Sequence, residues 1–259
     1  MERGVAKLEM QKAAFLPSFQ ANTLEKPIFK EEIKVPVDSL RDKALGPNGF
    51  PLAFFQVFLN LVRKDVVRFI DEFFTSIQLP AQMVASLIAL VSKKEEANCL
   101  KDFRQISLIG APHKILAKIL AIRFRSIIGH VISKVQGTFV EERPILDSAL
   151  IAMSASMLIK RKAKKGSVYK LNIGKAYKHV ESDILDYILG RIGCNSRWRE
   201  WIQVCIGITS FLVLVNGSPK EFFKSSRGIR QGDPLLRFFF MEVADALSKM
   251  LDKGSPLPG

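Results

Sequence analysis

The residues of this chain that could do chemistry are mostly cations. Lys160, Arg161, Lys162, Lys164 and Lys165 crowd into six positions, and Lys93 and Lys94 close an apolar run. Over all 259 residues Lys and Arg number 39 against 25 acids, a formal net charge of +14. A solvated surface does not need that excess. Nucleic acid is the commonest polyanion that rewards it, with an anionic membrane surface second. A lysine run by itself is more often a solvated loop than a binding site. The carboxylates are scattered. Glu181, Asp183 and Asp186 fall on one helix, and Asp233 stands in a turn where it can cap the helix begun by Pro234. Cys99, Cys194 and Cys205 are far apart, and no Cys/His spacing suggests zinc. An odd cysteine count, a charged N-terminus without an apolar h-region and no spanning apolar run point to a soluble, intracellular protein.

The elements that must position these residues are of both kinds. Residues 1–28 have weak periodicity and are expected to be a linker or lead-in. Residues 29–41 make a short element, and Gly46-Pro47-Asn48-Gly49 is a turn. Apolar positions at helical spacing predict a helix over 53–76. The runs 85–91 and 103–109 read as partner strands. Residues 113–128 are an amphipathic helix, with Lys114, Lys118 and Arg125 opposite its apolar face and Arg123 near the middle of that face, snorkelling or in a buried ion pair. A helix over 145–159 leads into the lysine run. Residues 167–173 alternate like a half-buried strand. Helices follow over 182–192 and 234–251. Between them 211–215 and 221–224 flank Asn216-Gly217, the strongest short hairpin signal. The class is α+β.

Blocks within this order are similar to the reverse-transcriptase domain of LINE-type (non-LTR) retroelements, especially those of plants. Asp42-Lys43-Ala44-Leu45-Gly46-Pro47-Asn48-Gly49-Phe50 resembles DKAPGPDGF, and Leu90-Val91-Ser92-Lys93-Lys94 resembles LIPKK. Phe103-Arg104-Gln105-Ile106-Ser107-Leu108 resembles FRPISL, and residues 113–123 resemble YKIIAKVLANR. Gln136, Phe139, Val140, Arg143, Ile145, Leu146 and Asp147 stand as in QxAFVxGRQILD. Residues 170–180 resemble KLDIEKAYDHV. Val215-Asn216-Gly217-Ser218-Pro219 and residues 227–235 resemble VNGSP and RGLRQGDPL.

The resemblance implies an incomplete right-hand polymerase fold with no thumb: fingers-like 29–166, partial palm 167–252 and a tail at 253–259. It implies RNA and/or DNA as a non-specific partner, with no membrane and no particular protein partner. It places Lys93, Arg104, Tyr177, Gln231 and Gly232 around the incoming nucleotide. Lys160, Arg161, Lys162, Lys164, Lys165 and Arg230 are candidate phosphate contacts on a basic surface. In the intact family two Mg²⁺ ions, held mostly by carboxylates, clamp the reacting oxygens. Here the first metal Asp is Asn172, the Asp after the motif's Tyr is Lys178, and no Ala-Asp-Asp occurs. The expectation is therefore a truncated, catalytically inactive reverse-transcriptase domain with no metal cofactor of its own. A non-catalytic nucleic-acid-binding module is the alternative.

Overall fold

The computed structural model describes residues 15–40, 46–47, 49–133, 150, 153–154, 157, 180–207, 210–215, 218–224, 230 and 232–254. Over residues 15–28 the chain is not the linker expected for 1–28; residues 1–14 lie outside the described residues. Helix α1 (Ser18–Leu24) packs Ala21 and Leu24 into the core, and Leu16 just ahead of it is buried as well. The Leu16 N–H donates to Ile192 O at 2.8 Å, and Glu25 Oε1 accepts the Trp198 N–H at 2.8 Å. Apolar residues too sparse to show a period still find a non-local partner here.

A 3-10 turn (Lys30–Ile33) runs into α2 (Lys34–Ser39). The helix expected over 53–76 is broken at Phe58 into α3 (Leu52–Val57) and α4 (Leu59–Ser76). The short α5 (Ala81–Val84) leads into β1 (Ser86–Ser92). β1 pairs antiparallel with β2 (Phe103–Ile109), from Ser86↔Ile109 to Ser92↔Phe103, as the apolar runs predict.

Next comes α6 (Ala111–Val131), with Pro112 in its first turn. It is not a one-faced amphipathic helix. Lys114 is 6% exposed, and His113 and Arg123 are buried as well. The face expected to meet water is covered, since α1, α2, α5 and two later helices all pack on α6. A helix apolar on most sides is a central one. Of the three expected cations Arg125 is exposed and Lys118 half-buried.

Helix α7 (Ser182–Arg191) and α8 (Ser196–Ile206) precede the hairpin β3 (Ser210–Val215) and β4 (Ser218–Lys224), and α9 (Leu236–Gly254) ends the described chain. β3 pairs parallel with β1 through Ser86↔Phe211 to Ile88↔Val213, so the described sheet runs β2-β1-β3-β4. The expected partner strand at 168–173 lies outside the described residues. Of the expected helix at 145–159, the described positions 150, 153, 154 and 157 are helical. One apolar core joins both halves. Phe74 stacks on Trp201 with centroids 4.2 Å apart, and Phe124 of α6 meets Phe239 of α9 edge-on at 5.7 Å. The expected fingers-like and palm regions thus share a sheet and a core. The fold is a mixed α and β one.

Candidate nucleic-acid and nucleotide site

The junction of β2 and α6 gathers blocks that are far apart in sequence. Gly46 abuts it, because a Cβ there would lie 2.6 Å from Ile109 O and Gly110 N. Any side chain would have to push backbone aside, so the first turn block requires glycine. Gly232 has φ +105°, a left-handed conformation that favours glycine, and its missing Cβ would sit 3.5 Å from Ser107 O. Gly232 therefore lies directly beside the FRQISL strand.

Arg230 holds that turn in place. It was expected on the basic surface as a phosphate contact, but the structure corrects this: it is 4% exposed. Its Nη1 donates to Ser86 Oγ at 3.2 Å and to Val84 O at 3.3 Å. Its Nη2 donates to Cys205 O and to His113 Nε2, the latter at 2.7 Å. Nε2 also lies 3.2 Å from Cys205 O, so it accepts from the guanidinium in one tautomer and donates to that carbonyl in the other. Nδ1 has no hydrogen-bond partner. Burial and the nearby Arg230 charge hold His113 well below the usual histidine range, which keeps the ring neutral. Asp233 Oδ2 lies 3.6 Å from Arg230 Nη2 and provides the counter-charge. Its other oxygen accepts the Leu235 N–H at 2.9 Å, the capping role expected ahead of α9. Burial pushes the Asp233 carboxyl up, against the pull of Arg230.

The β1–β2 hairpin end carries the two expected fingers residues. Val91 faces Arg104 across the strands, and Lys93 continues from β1 with its N–H bonded to Asp102 O at 2.8 Å. Both side chains are exposed, and the Lys93 ammonium donates to the Lys101 carbonyl. Asp102 organises this tip. It accepts from the Asn98 and Cys99 N–H groups and pairs with Lys94 at 3.0 Å. The Lys94 contact, before the backbone bonds, lowers its pKa.

Of the other sequence-derived site residues, Asn172, Tyr177, Gln231, Lys160, Arg161, Lys162, Lys164 and Lys165 lie outside the described residues. Of the acids on α7, Asp186 is taken by an ion pair with Arg199. Among the described residues no group of three His, Cys, Asp or Glu side chains could hold a metal ion. No described helix is long and apolar enough to cross a membrane.

The family model for reverse transcriptase (RNA-dependent DNA polymerase) matches residues 91–255. The chain belongs to the reverse transcriptase family. The match takes in β1's end with the hairpin tip, and β2, α6, Arg230, Gly232 and Asp233, which meet at the junction above. Relatives include the transposon TX1 uncharacterized 149 kDa protein of Xenopus laevis, 26% identical over 82% of this chain. They also include the Pol polyproteins of the type-1 retrotransposable element R2 from Popillia japonica and Nasonia vitripennis, 24% and 22% identical over 86% and 91% of the chain. These agree with the non-LTR resemblance of the motifs; the plant affinity stays a resemblance. The chain spans 16%, 30% and 22% of these three relatives' own lengths.

Two features of this reverse-transcriptase domain escaped the sequence reading. The buried role of Arg230 has no local signal, since its partners come from residues 84–86, 113 and 205. The second is the cations of α4: Lys64 and Arg68 are exposed and turned away from the apolar positions of that helix, whereas Arg63 is half-buried at the edge of the apolar face, four positions after Leu59 and three before Val66.

Proposed function

We infer that this chain is an RNA-directed DNA polymerase domain of a LINE-type element that binds RNA or DNA and does not extend a primer. The observation that carries the reading is Asn172 where the family's first metal Asp stands, with Lys178 six positions on. An amide oxygen is a weak ligand and offsets none of the charge of two Mg²⁺ ions. A nearby ammonium adds repulsion on the order of kilocalories per mole at close range. The donor set does not fit a two-ion centre. The right-hand description, fingers over 29–166 and partial palm over 167–252, belongs to the same proposal and is supported by the motif order.

Binding asks less of the chain. The net charge of +14 and the exposed Lys93 and Arg104 beside the hairpin tip support it. The test is primer extension on an RNA template with Mg²⁺ or Mn²⁺, run beside binding titrations at several salt concentrations. No templated addition, with affinity that falls steeply as salt rises, is the expected result. Templated addition above a no-enzyme control would refute the inactivity, and absent or salt-insensitive binding would refute the rest.

A further inference from the structure

With Arg230 buried, phosphate contacts must come from other cations. Among the described residues a groove of about 820 Å³ runs along α4, lined by Lys30 on one side and by α4 side chains from Asn60 to Ser76. Its lining includes Arg63, Lys64 and Arg68 at one end and the carboxylates Asp71 and Glu72 towards the other. Lys64 and Arg68 stand one turn apart in a row along the helix and Arg63 flanks that row beside Lys64, so the three cations cluster in the first half of the groove. Arg63 to Arg68 spans about 7.5 Å of helix rise. That is roughly two nucleotide steps of a stacked strand at about 3.4 Å each.

The donors in this row are lightly committed. Arg63 reaches only to Asn60 Oδ1 at 3.4 Å, and its Nε is shielded from water without a hydrogen-bond partner. Arg68 pairs with Asp65 at 2.9 Å, but both side chains are more than two-thirds exposed. A pair so exposed stabilises little and exchanges readily for a phosphate. Bidentate guanidinium geometry suits phosphate oxygens.

We propose that the groove between the 3-10 turn and α4 is a docking site for single-stranded nucleic acid, gripped through its phosphates by Lys30, Arg63, Lys64 and Arg68. The proposal rests on the nucleic-acid-binding reading above and adds the surface that does it. Asp71 and Glu72 give the site a direction. They repel phosphate, so the strand lies over the 60–68 end and leaves the groove before the C-terminal turns of α4.

The experiment is fluorescence anisotropy on the whole chain with labelled single-stranded RNA of mixed sequence, across a salt series. The variants are Arg63→Gln/Lys64→Gln/Arg68→Gln and Asp71→Asn/Glu72→Gln. Gln keeps helix propensity close to that of Lys and Arg, and a thermal melt of each variant checks the fold. The triple α4 variant is expected to bind about tenfold or more weakly at low salt. Its log–log salt slope should shrink by about 2, the single-strand value for three lost phosphate contacts. The Asp71/Glu72 variant is expected to bind more tightly. If the wild type binds and the α4 variant keeps its affinity and slope, the groove is not the site, although nucleic-acid binding stands. If the Asp71/Glu72 variant binds more weakly, or self-association responds to these changes while RNA binding does not, the occupant is a protein and the proposal fails. If the wild type does not bind RNA, both the site and the reading beneath it fall.

Discussion

Arg123 of α6 grips Glu32 of the 3-10 turn at two points, Nε to Oε1 at 3.0 Å and Nη2 to Oε2 at 2.9 Å. The same guanidinium donates to the carbonyls of Leu24, Lys26 and Pro27 and lies 5.3 Å from the centroid of the Phe74 ring. One buried cation thus collects the chain reversal after α1 and fastens it to the central helix. Replacing it with Met leaves a carboxylate and three carbonyls without their donor. Arg123→Met should lower the unfolding free energy by about 3 kcal/mol in urea titrations. Glu32→Gln should cost only about 1 kcal/mol, since the Glu32 side chain is one-third exposed and keeps access to water. Equal losses for the two variants would show that the pair, and not the carbonyl contacts, carries the effect.

Arg230→Gln separates a strut from a phosphate ligand. A buried strut bonded to β1, α6 and α8 cannot be shortened without stranding Asp233 and His113. The variant should lose roughly 3 kcal/mol of stability while the salt slope of RNA binding stays unchanged. A surface ligand would show the reverse, near-neutral stability and a slope smaller by about 0.7.

The motif turn was legible as a turn, but its lock was not. Gly232 and Asp233 announce a bend and a cap through chemistry that works within four residues. The fate of Arg230 depends on Ser86, His113 and Cys205, which no local pattern links to it. Lys114 fails for the same reason: a charge on the polar side of a periodic helix reads as exposed until other helices are known to cover it. Strands β1 and β2 and the 210–224 hairpin were readable because alternation and apolar runs are local. Their order was not, since the parallel pairing of Ser86 with Phe211 joins segments more than a hundred residues apart. Helix α8 carries a local signal of its own. Trp198, Trp201, Ile202 and Cys205 stand at i, i+3, i+4 and i+7 and are all buried, with Arg199 and Glu200 between them.

Two buried groups should set the pH profile in opposite directions. His113 is held well below its usual value in the fold. Below about pH 6.5 the unfolded chain takes up a proton that the folded one refuses, so stability falls as pH drops through that point. Glu242 is pushed up to about 8, first by burial and then by Asp245. Between its ordinary value of 4.5 and about 8 the folded chain holds a proton that the unfolded chain loses, so stability falls as pH rises. Between pH 6.5 and 8 only the second of these two slopes acts. Glu242→Gln should abolish the decline there and raise stability at pH 8 by on the order of 3 kcal/mol. Denaturation midpoints from pH 5 to 9 for both proteins are the measurement. An unchanged alkaline limb would mean that Glu242 is ionised in the fold.

Asn172→Asp should not restore templated addition. The change returns one carboxylate to a position where the family holds metal, but Lys178 still brings an ammonium to the same motif, and the 259-residue chain supplies no Ala-Asp-Asp pair for the second ion. One carboxylate cannot hold two divalent cations against that repulsion. The variant should nevertheless bind RNA as the wild type does, because the phosphate contacts proposed above lie elsewhere, and at most gain a weak response to Mn²⁺. Primer extension with Mg²⁺ and with Mn²⁺, for the wild type, Asn172→Asp and Asn172→Asp/Lys178→Asp, decides the matter. Addition by the single variant would show that one restored ligand is enough. Addition by the double variant alone would show that the lysine, more than the missing carboxylates, keeps the ions out.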